Sequence, residues 1–261
     1  MQDWKSHIDL KHPCWDGYRV SLGRLPDEPF PDPAVLTRLL PPGQAGASGK
    51  PIRFRPAGEL PGVAYEKHIF ETGEVSTRQD NWHDLFNALV WCRFPFLKTA
   101  MNEVHYRHLG EEKNGRRGER RDALTLLDES GVIVTSPDKG LLGALSERNW
   151  RAAFVRHREA WSRSGVMVCG HAILEKFLDP YKSLTAHALL LPLDGPACVA
   201  DLDKMLADGI RDGSLLKTPG DLSPLPLMGI PGWWTGGEQD ETFYADTRVF
   251  RPPVAVSHNK A

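Results

Sequence analysis

The chain reads as an α+β protein: a single globular domain over residues 1–261, predominantly helical, with short antiparallel strands or hairpins. Three observations predict this. Strand-like runs are short and grouped mainly early in the chain, apolar residues at helical spacing fill its middle, and the regular strand–helix alternation of a doubly wound sheet is missing. Hydrophobic residues make up 41% of the sequence, enough apolar surface at this length for a buried core.

Residues 1–62 are expected to be loop-rich, ending in the Pro/Gly stretch Pro41–Pro61 that opens PPGQAGASGKP. Ile52–Arg55 and Val63–Arg78 read as short strands, the second folded on a turn at Glu71-Thr72-Gly73-Glu74. Asp80 or Asn81 offers an N-cap, with Asp84 placed to complete a capping box, and Trp82, Leu85, Phe86, Leu89 and Val90 form one helical stripe. Pro95 restarts the chain into a second helix whose buried face is Leu97, Ala100, Met101 and Val104.

After the polar run EEKNGRRGERR, Ala123–Thr135 is expected to form a hairpin: ALTLL, a DESG turn, then VIVT. Asp138 starts more helix, with helical patterns over Lys139–Arg148, Asn149–Arg163 and Gly170–Leu178. Leu184–Leu193 reads as a buried strand closed by proline, and Val199–Ile210 as helix. Residues 219–261 form a tail rich in Pro, Gly and aromatics, with LSPLPLMGIPGWW near its start.

Lys plus Arg at 32 against Asp plus Glu at 34 gives a formal charge of −2, which argues against bulk nucleic-acid or anionic-membrane binding. The N-terminus lacks the apolar core of a secretory signal. The longest apolar run, Ala188–Leu193, is broken by Pro192, so no membrane insertion is expected. Cys14, Cys92, Cys169 and Cys198 are widely and irregularly spaced, as suits reduced thiols in the cytoplasm. A small-molecule or protein partner is compatible with all of this.

Chemistry concentrates in Arg78–Leu109, where three His, three Asn and two Asp stand among large apolar residues. Leaving such groups buried and unpaired costs about 1–3 kcal/mol each, so they are paired, ligand-bound or solvated. His83 and Asn87 share one helix side beside the apolar stripe, and His105 and His108 are near neighbours on the next helix. Farther on, His171 and Glu175 are spaced i, i+4, and His187 projects from the Leu184–Leu193 strand. Two His and one Glu could hold a divalent metal with water in the fourth position. A surface His–Glu pair explains the same spacing without metal.

Arg121 and Asp122 enter the expected hairpin, where Arg121 could hold an anionic group or simply belong to a solvated loop. Asp128 is most simply a turn residue. Cys169 beside His171 suggests a thiol nucleophile, against the commoner role of cysteine as a small buried hydrophobe. No phosphate-binding glycine signature, nucleophile elbow or H-E-x-x-H occurs.

Four blocks, TRQDNWHDLFNALVW, RRDALTLLDESGVIV, GHAILEKFLDPYKSLTAHALLLPL and PLMGIPGWWTGGEQDETFYADTRVFRP, run in order from about Arg53 to Pro252. They resemble the bacterial family catalogued as domain of unknown function 3025. The resemblance implies one unit over most of the chain and carries no reaction with it.

Two functional readings follow. In the first the protein is a hydrolase whose cleft is lined by His83, Asn87, His105, Arg121 and Asp122, with a divalent metal held by His171, Glu175 and His187. In the second it is a noncatalytic binding or assembly protein: its polar groups are structural, and Trp233, Trp234, Phe243, Tyr244 and Phe250 of the tail pack on the domain or on a partner.

Overall fold

Residues 3–59, 64–110, 118–193 and 198–252 are described by the computed structural model. Helix outweighs strand by 50% to 13%, and the architecture is α+β. The N-terminal part carries two short helices, α1 (Arg19–Arg24) and α2 (Pro33–Thr37), the latter capped by Asp32. Trp15, Tyr18 and Leu22 sink this part into the core, and the Tyr18 hydroxyl donates to the Val168 carbonyl at 2.5 Å. Irregular backbone here is fastened by side chains, not left as a surface loop.

Strand β1 (Arg53–Pro56) falls where expected. The strand pair expected over Val63–Arg78 is instead a helix, α3 (Tyr65–Thr72), followed by strand β2 (Glu74–Thr77), which pairs parallel with β1; Val63 lies outside the described residues. Gly73 is the source of the difference. Its φ of +77° suits a helix C-terminus as well as a hairpin turn, and a Cβ there would meet the Pro51 carbonyl at 2.3 Å.

Helices α4 (Trp82–Arg93) and α5 (Pro95–Arg107) form as the periodicity predicts, and the Asn81 side chain caps α4 by accepting the Asp84 N–H. Asp84 does not close a capping box; its carboxylate instead accepts from the Arg78 backbone and guanidinium. Leu85, Phe86, Ala88, Leu89, Val90 and Trp91 are all buried, making α4 the central helix of the core.

The expected Ala123–Thr135 hairpin is corrected to a helix, α6 (Glu119–Ser130), running directly into strand β3 (Gly131–Thr135). Ala123, Leu124 and Leu127, spaced i, i+1, i+4, are buried together, so the helical period prevails over the turn-like DESG. Most of the preceding polar run, residues 111–117, lies outside the described residues. Asp138 caps α7 (Lys139–Ser146). The long helix expected over Asn149–Arg163 is broken into a widened π-type turn at Ala152–Arg156 and a 3-10 turn at Arg158–Arg163.

Strand β4 (Gly165–Val168), helix α8 (His171–Lys176), strand β5 (Thr185–Leu191), helix α9 (Val199–Asp212), strand β6 (Ser223–Pro226) and helix α10 (Glu241–Tyr244) complete the order. The main sheet runs β4-β3-β5-β6, with β3 parallel to β5 and the outer pairs antiparallel. The sheets are thus mixed and parallel, not hairpin-built. Pro224 and Pro226 fit because β6 is an edge strand.

Asp203 of α9 accepts the backbone N–H groups of Phe96 and Leu97 at 2.9 and 2.8 Å, capping the first turn of α5 from a neighbouring helix. The tail's Trp233, Phe243, Tyr244 and Phe250 are buried, with Tyr244 stacked on Phe154 at 5.4 Å between centroids. Over these residues the tail packs on the domain and presents no exposed aromatic surface to a partner. Among the described residues, no helix is long and apolar enough to cross a membrane.

Candidate metal centre and its cavity

Helices α3, α4, α5, α6 and α8 and strand β2 enclose a cavity of about 550 Å³. The helical register of α6 supplies one wall: Arg121, Thr125, Asp128 and Glu129 lie at i, i+4, i+7 and i+8 and all line the space. Helix α4 supplies His83, Asp84 and Asn87 opposite.

Two glycines bring His171 to the same wall. Gly170 packs against the α6–β3 junction so closely that a Cβ would meet the Gly131 nitrogen at 2.3 Å and the Glu129 carbonyl at 2.7 Å. Gly170 and Cys169 both donate their N–H to the Gly131 carbonyl, and His171 follows as the first residue of α8, beside Asp128 and Glu129.

His83 Nε2, His171 Nε2 and Glu129 Oε2 converge within 4.8 Å of one another. Their separations are 2.9 Å between the histidines, 3.9 Å from His83 to Glu129 and 3.5 Å from His171 to Glu129. A tetrahedral ion with bonds of about 2.05 Å holds its donors about 3.3 Å apart, inside that range. The outer ring nitrogens decide the tautomers. His83 Nδ1 lies 3.0 Å from the Glu175 carboxylate, which can only accept, so Nδ1 carries the proton and Nε2 a lone pair. His171 Nδ1 lies 3.9 Å from the Asp128 carboxylate and makes no hydrogen bond of its own.

Burial and neighbouring charges set the protonation of these groups. Burial, with help from Lys98 and His83, lowers the His171 pKa to about 4, so the ring is neutral at pH 7. Burial pushes the Glu129 carboxyl up, reinforced by the charges of Asp128 and Glu175 and opposed by His83. Asp128 goes the other way: burial disfavours its charge, yet Lys98 at 2.5 Å and His171 hold its carboxyl below the usual range. Two imidazole Nε2 atoms and a carboxylate oxygen thus point at one place, with the Glu175 carboxylate behind the His83 ring.

Of the sequence-derived site residues, His83, Asn87, His105, Arg121 and His171 line this cavity. His105 is buried, which lowers its pKa, and its Nδ1 makes no hydrogen bond. Glu175 contacts the His83 ring instead of the point of convergence, and His187 lies outside the group, its Nδ1 2.8 Å from the Ser130 hydroxyl. Asp122 sits exposed in the first turn of α6, off the cavity wall. His108 ends α5 with its Nδ1 2.8 Å from the Val104 carbonyl. Cys169 is buried, and desolvation drives its thiol pKa far up, the opposite of an activated nucleophile. Glu129, Lys98 and Tyr65 have no place in the sequence reading, and Asp128 is a cavity residue instead of a turn residue; for Asp128 and Glu129 the i, i+4, i+7, i+8 polar face of α6 is the available signal.

Fold and site together define an α+β protein with a His–Glu–His group in a half-polar cavity. Residues 52–253 match the family described as "Protein of unknown function (DUF3025)", and the chain belongs to that family; the matched region contains every residue of the cavity. No curated protein and no solved structure matches the chain.

Proposed function

We propose that the protein is a divalent-metal-dependent hydrolase, with His83, Glu129 and His171 as the metal ligands. The observation that carries this reading is the convergence of two imidazole nitrogens and a carboxylate oxygen within 4.8 Å of one another, with the outer nitrogen of His83 turned to the Glu175 carboxylate. The donor set suits zinc, with a fourth position open to the cavity.

A bound divalent ion would supply a water of lowered pKa and an electrophilic contact for the substrate. Glu175 keeps the His83 ring oriented, while Asp128, itself held by Lys98, stands behind His171. Arg121 lies eight residues before Glu129 on α6, an axial rise of about 12 Å. Arg121 lines the same cavity and, two turns from Glu129, suits an anionic group distant from the bond being cleaved.

The test is elemental analysis of purified, untagged protein after mild dialysis, with His83→Ala, Glu129→Ala and His171→Ala in parallel, then turnover of 4-nitrophenyl esters and phosphoesters. Near-stoichiometric zinc, manganese or iron that each variant loses, together with metal-dependent turnover, is expected. Folded protein that takes up no divalent ion even when one is added would refute the proposal.

A further inference from the structure

The hydrogen bonds on the cavity wall beside the His–Glu–His group have a fixed direction, and that direction ends on an unspent proton. The Lys98 ammonium can only donate, and it gives one hydrogen bond to Asp128 Oδ1 at 2.5 Å and another to Asn87 Oδ1 at 2.9 Å. That contact settles which end of the Asn87 amide is oxygen. Its Nδ2 must therefore donate, and it does so to the Tyr65 hydroxyl at 3.0 Å. The Tyr65 oxygen is an acceptor in this bond, so its own O–H points elsewhere. Among the described residues no acceptor receives it.

Tyr65 lines the same cavity as the three metal ligands, and Asn87, which positions it, stands one helical turn from His83, with side-chain origins about 6 Å apart. The residue as a whole is 41% exposed, but its hydroxyl end turns into the cavity. A positive charge at the head of a chain of hydrogen bonds polarises each successive donor, so this O–H is a stronger donor than a phenol in water. Desolvation at the hydroxyl, with the charges of Glu66 and Asp128 nearby, pushes the phenol pKa well above its usual value, so the proton stays on at neutral pH.

We infer that Tyr65 is a catalytic residue: its hydroxyl donates a hydrogen bond to the oxyanion formed when water attacks an acyl substrate, an ester or amide, in this cavity. The inference rests on the hydrolase reading above. In the step itself, a water oxygen bonds to the acyl carbon and the carbonyl π pair moves onto oxygen. Tyr65 holds that oxyanion by a hydrogen bond without giving up its proton. Collapse then re-forms the carbonyl and breaks the bond to the leaving group, which departs with a proton from the attacking water; the products are a carboxylic acid and an alcohol or amine. Lys98 and Asn87 act as positioning residues.

The test uses the full chain loaded with zinc, with acetohydroxamate as the probe for an anionic oxygen at the metal and 4-nitrophenyl acetate as substrate. Tyr65→Phe removes one oxygen and leaves the ring. It should retain its zinc and melting temperature, bind acetohydroxamate about tenfold more weakly, and lose about 10²- to 10³-fold in kcat with little change in KM. Asn87→Leu, which cuts the relay, should move kcat in the same direction. Zinc-loaded Tyr65→Phe with unchanged kcat and unchanged hydroxamate affinity would overturn the assignment of Tyr65 alone. A wild-type protein that takes up no zinc, or takes it up without binding the hydroxamate, would overturn the hydrolase reading and this assignment with it.

Discussion

His171 gives the sharpest prediction, because its environment sets a pH window and a size. In the metal-free fold its pKa falls from 6.5 to about 4, chiefly through burial, so the native state rejects a proton that the unfolded chain accepts. Above pH 6.5 the ring is neutral in both states and contributes no pH dependence. Between 6.5 and about 4 the unfolded chain binds more protons, so the native state loses stability as pH falls. At about 1.4 kcal/mol per pH unit, that window is worth about 3 kcal/mol. The perturbation is His171→Gln, which keeps a polar side chain but cannot titrate, and the assay is urea unfolding in EDTA from pH 7.5 to 4. Relative to the variant, the wild type should lose about 3 kcal/mol across that range. Unfolding curves whose free energies differ by a constant at every pH would refute the assignment of a neutral, buried His171.

Asp203 should show the opposite sign. Burial raises its carboxyl to about 6, so the native state binds the extra proton and gains stability as pH falls from 6 towards 3.8, and Asp203→Asn should lose that gain in the same urea series. Glu175→Gln should weaken zinc binding by about 10- to 100-fold while leaving the metal-free melting temperature nearly unchanged, since Glu175 touches the ligand His83 and not the core; competition with a chromogenic chelator would read it. Gly170→Ala should cost at least about 1–3 kcal/mol and weaken zinc binding too, because a Cβ 2.3 Å from the Gly131 nitrogen forces apart the junction that seats His171; chemical denaturation and the same chelator competition would measure both effects.

Local rules carried much of this fold. Asn81 and Pro95 mark the starts of α4 and α5, Asp138 caps α7, and the apolar run before Pro192 is β5, because each signal acts within a few residues of itself. Two of the three segments that differ from expectation hold sequences that serve two purposes. Gly73 can end a helix or turn a hairpin, and Asp128-Glu129-Ser130-Gly131 looks like a turn until Ala123, Leu124 and Leu127 are placed on one buried stripe. The site was half legible for the same reason. His83 and His171 stood out as polar groups beside apolar stripes, but Glu129 could not be chosen while its segment was read as a hairpin. His187 completes a two-His, one-Glu ligand set on paper, whereas Ser130 is its partner across the fold. The Gly131–Gly170 contact that assembles the centre joins residues 39 positions apart, and no local pattern announces it.

The central claim is that one divalent ion sits between His83, Glu129 and His171, and anomalous scattering from crystals of the zinc-loaded protein at the zinc edge tests it most directly. The account predicts a single strong peak about 2.0–2.2 Å from Nε2 of each histidine and from a Glu129 carboxylate oxygen. A strong peak at any other set of side chains, with none between these three, would contradict it.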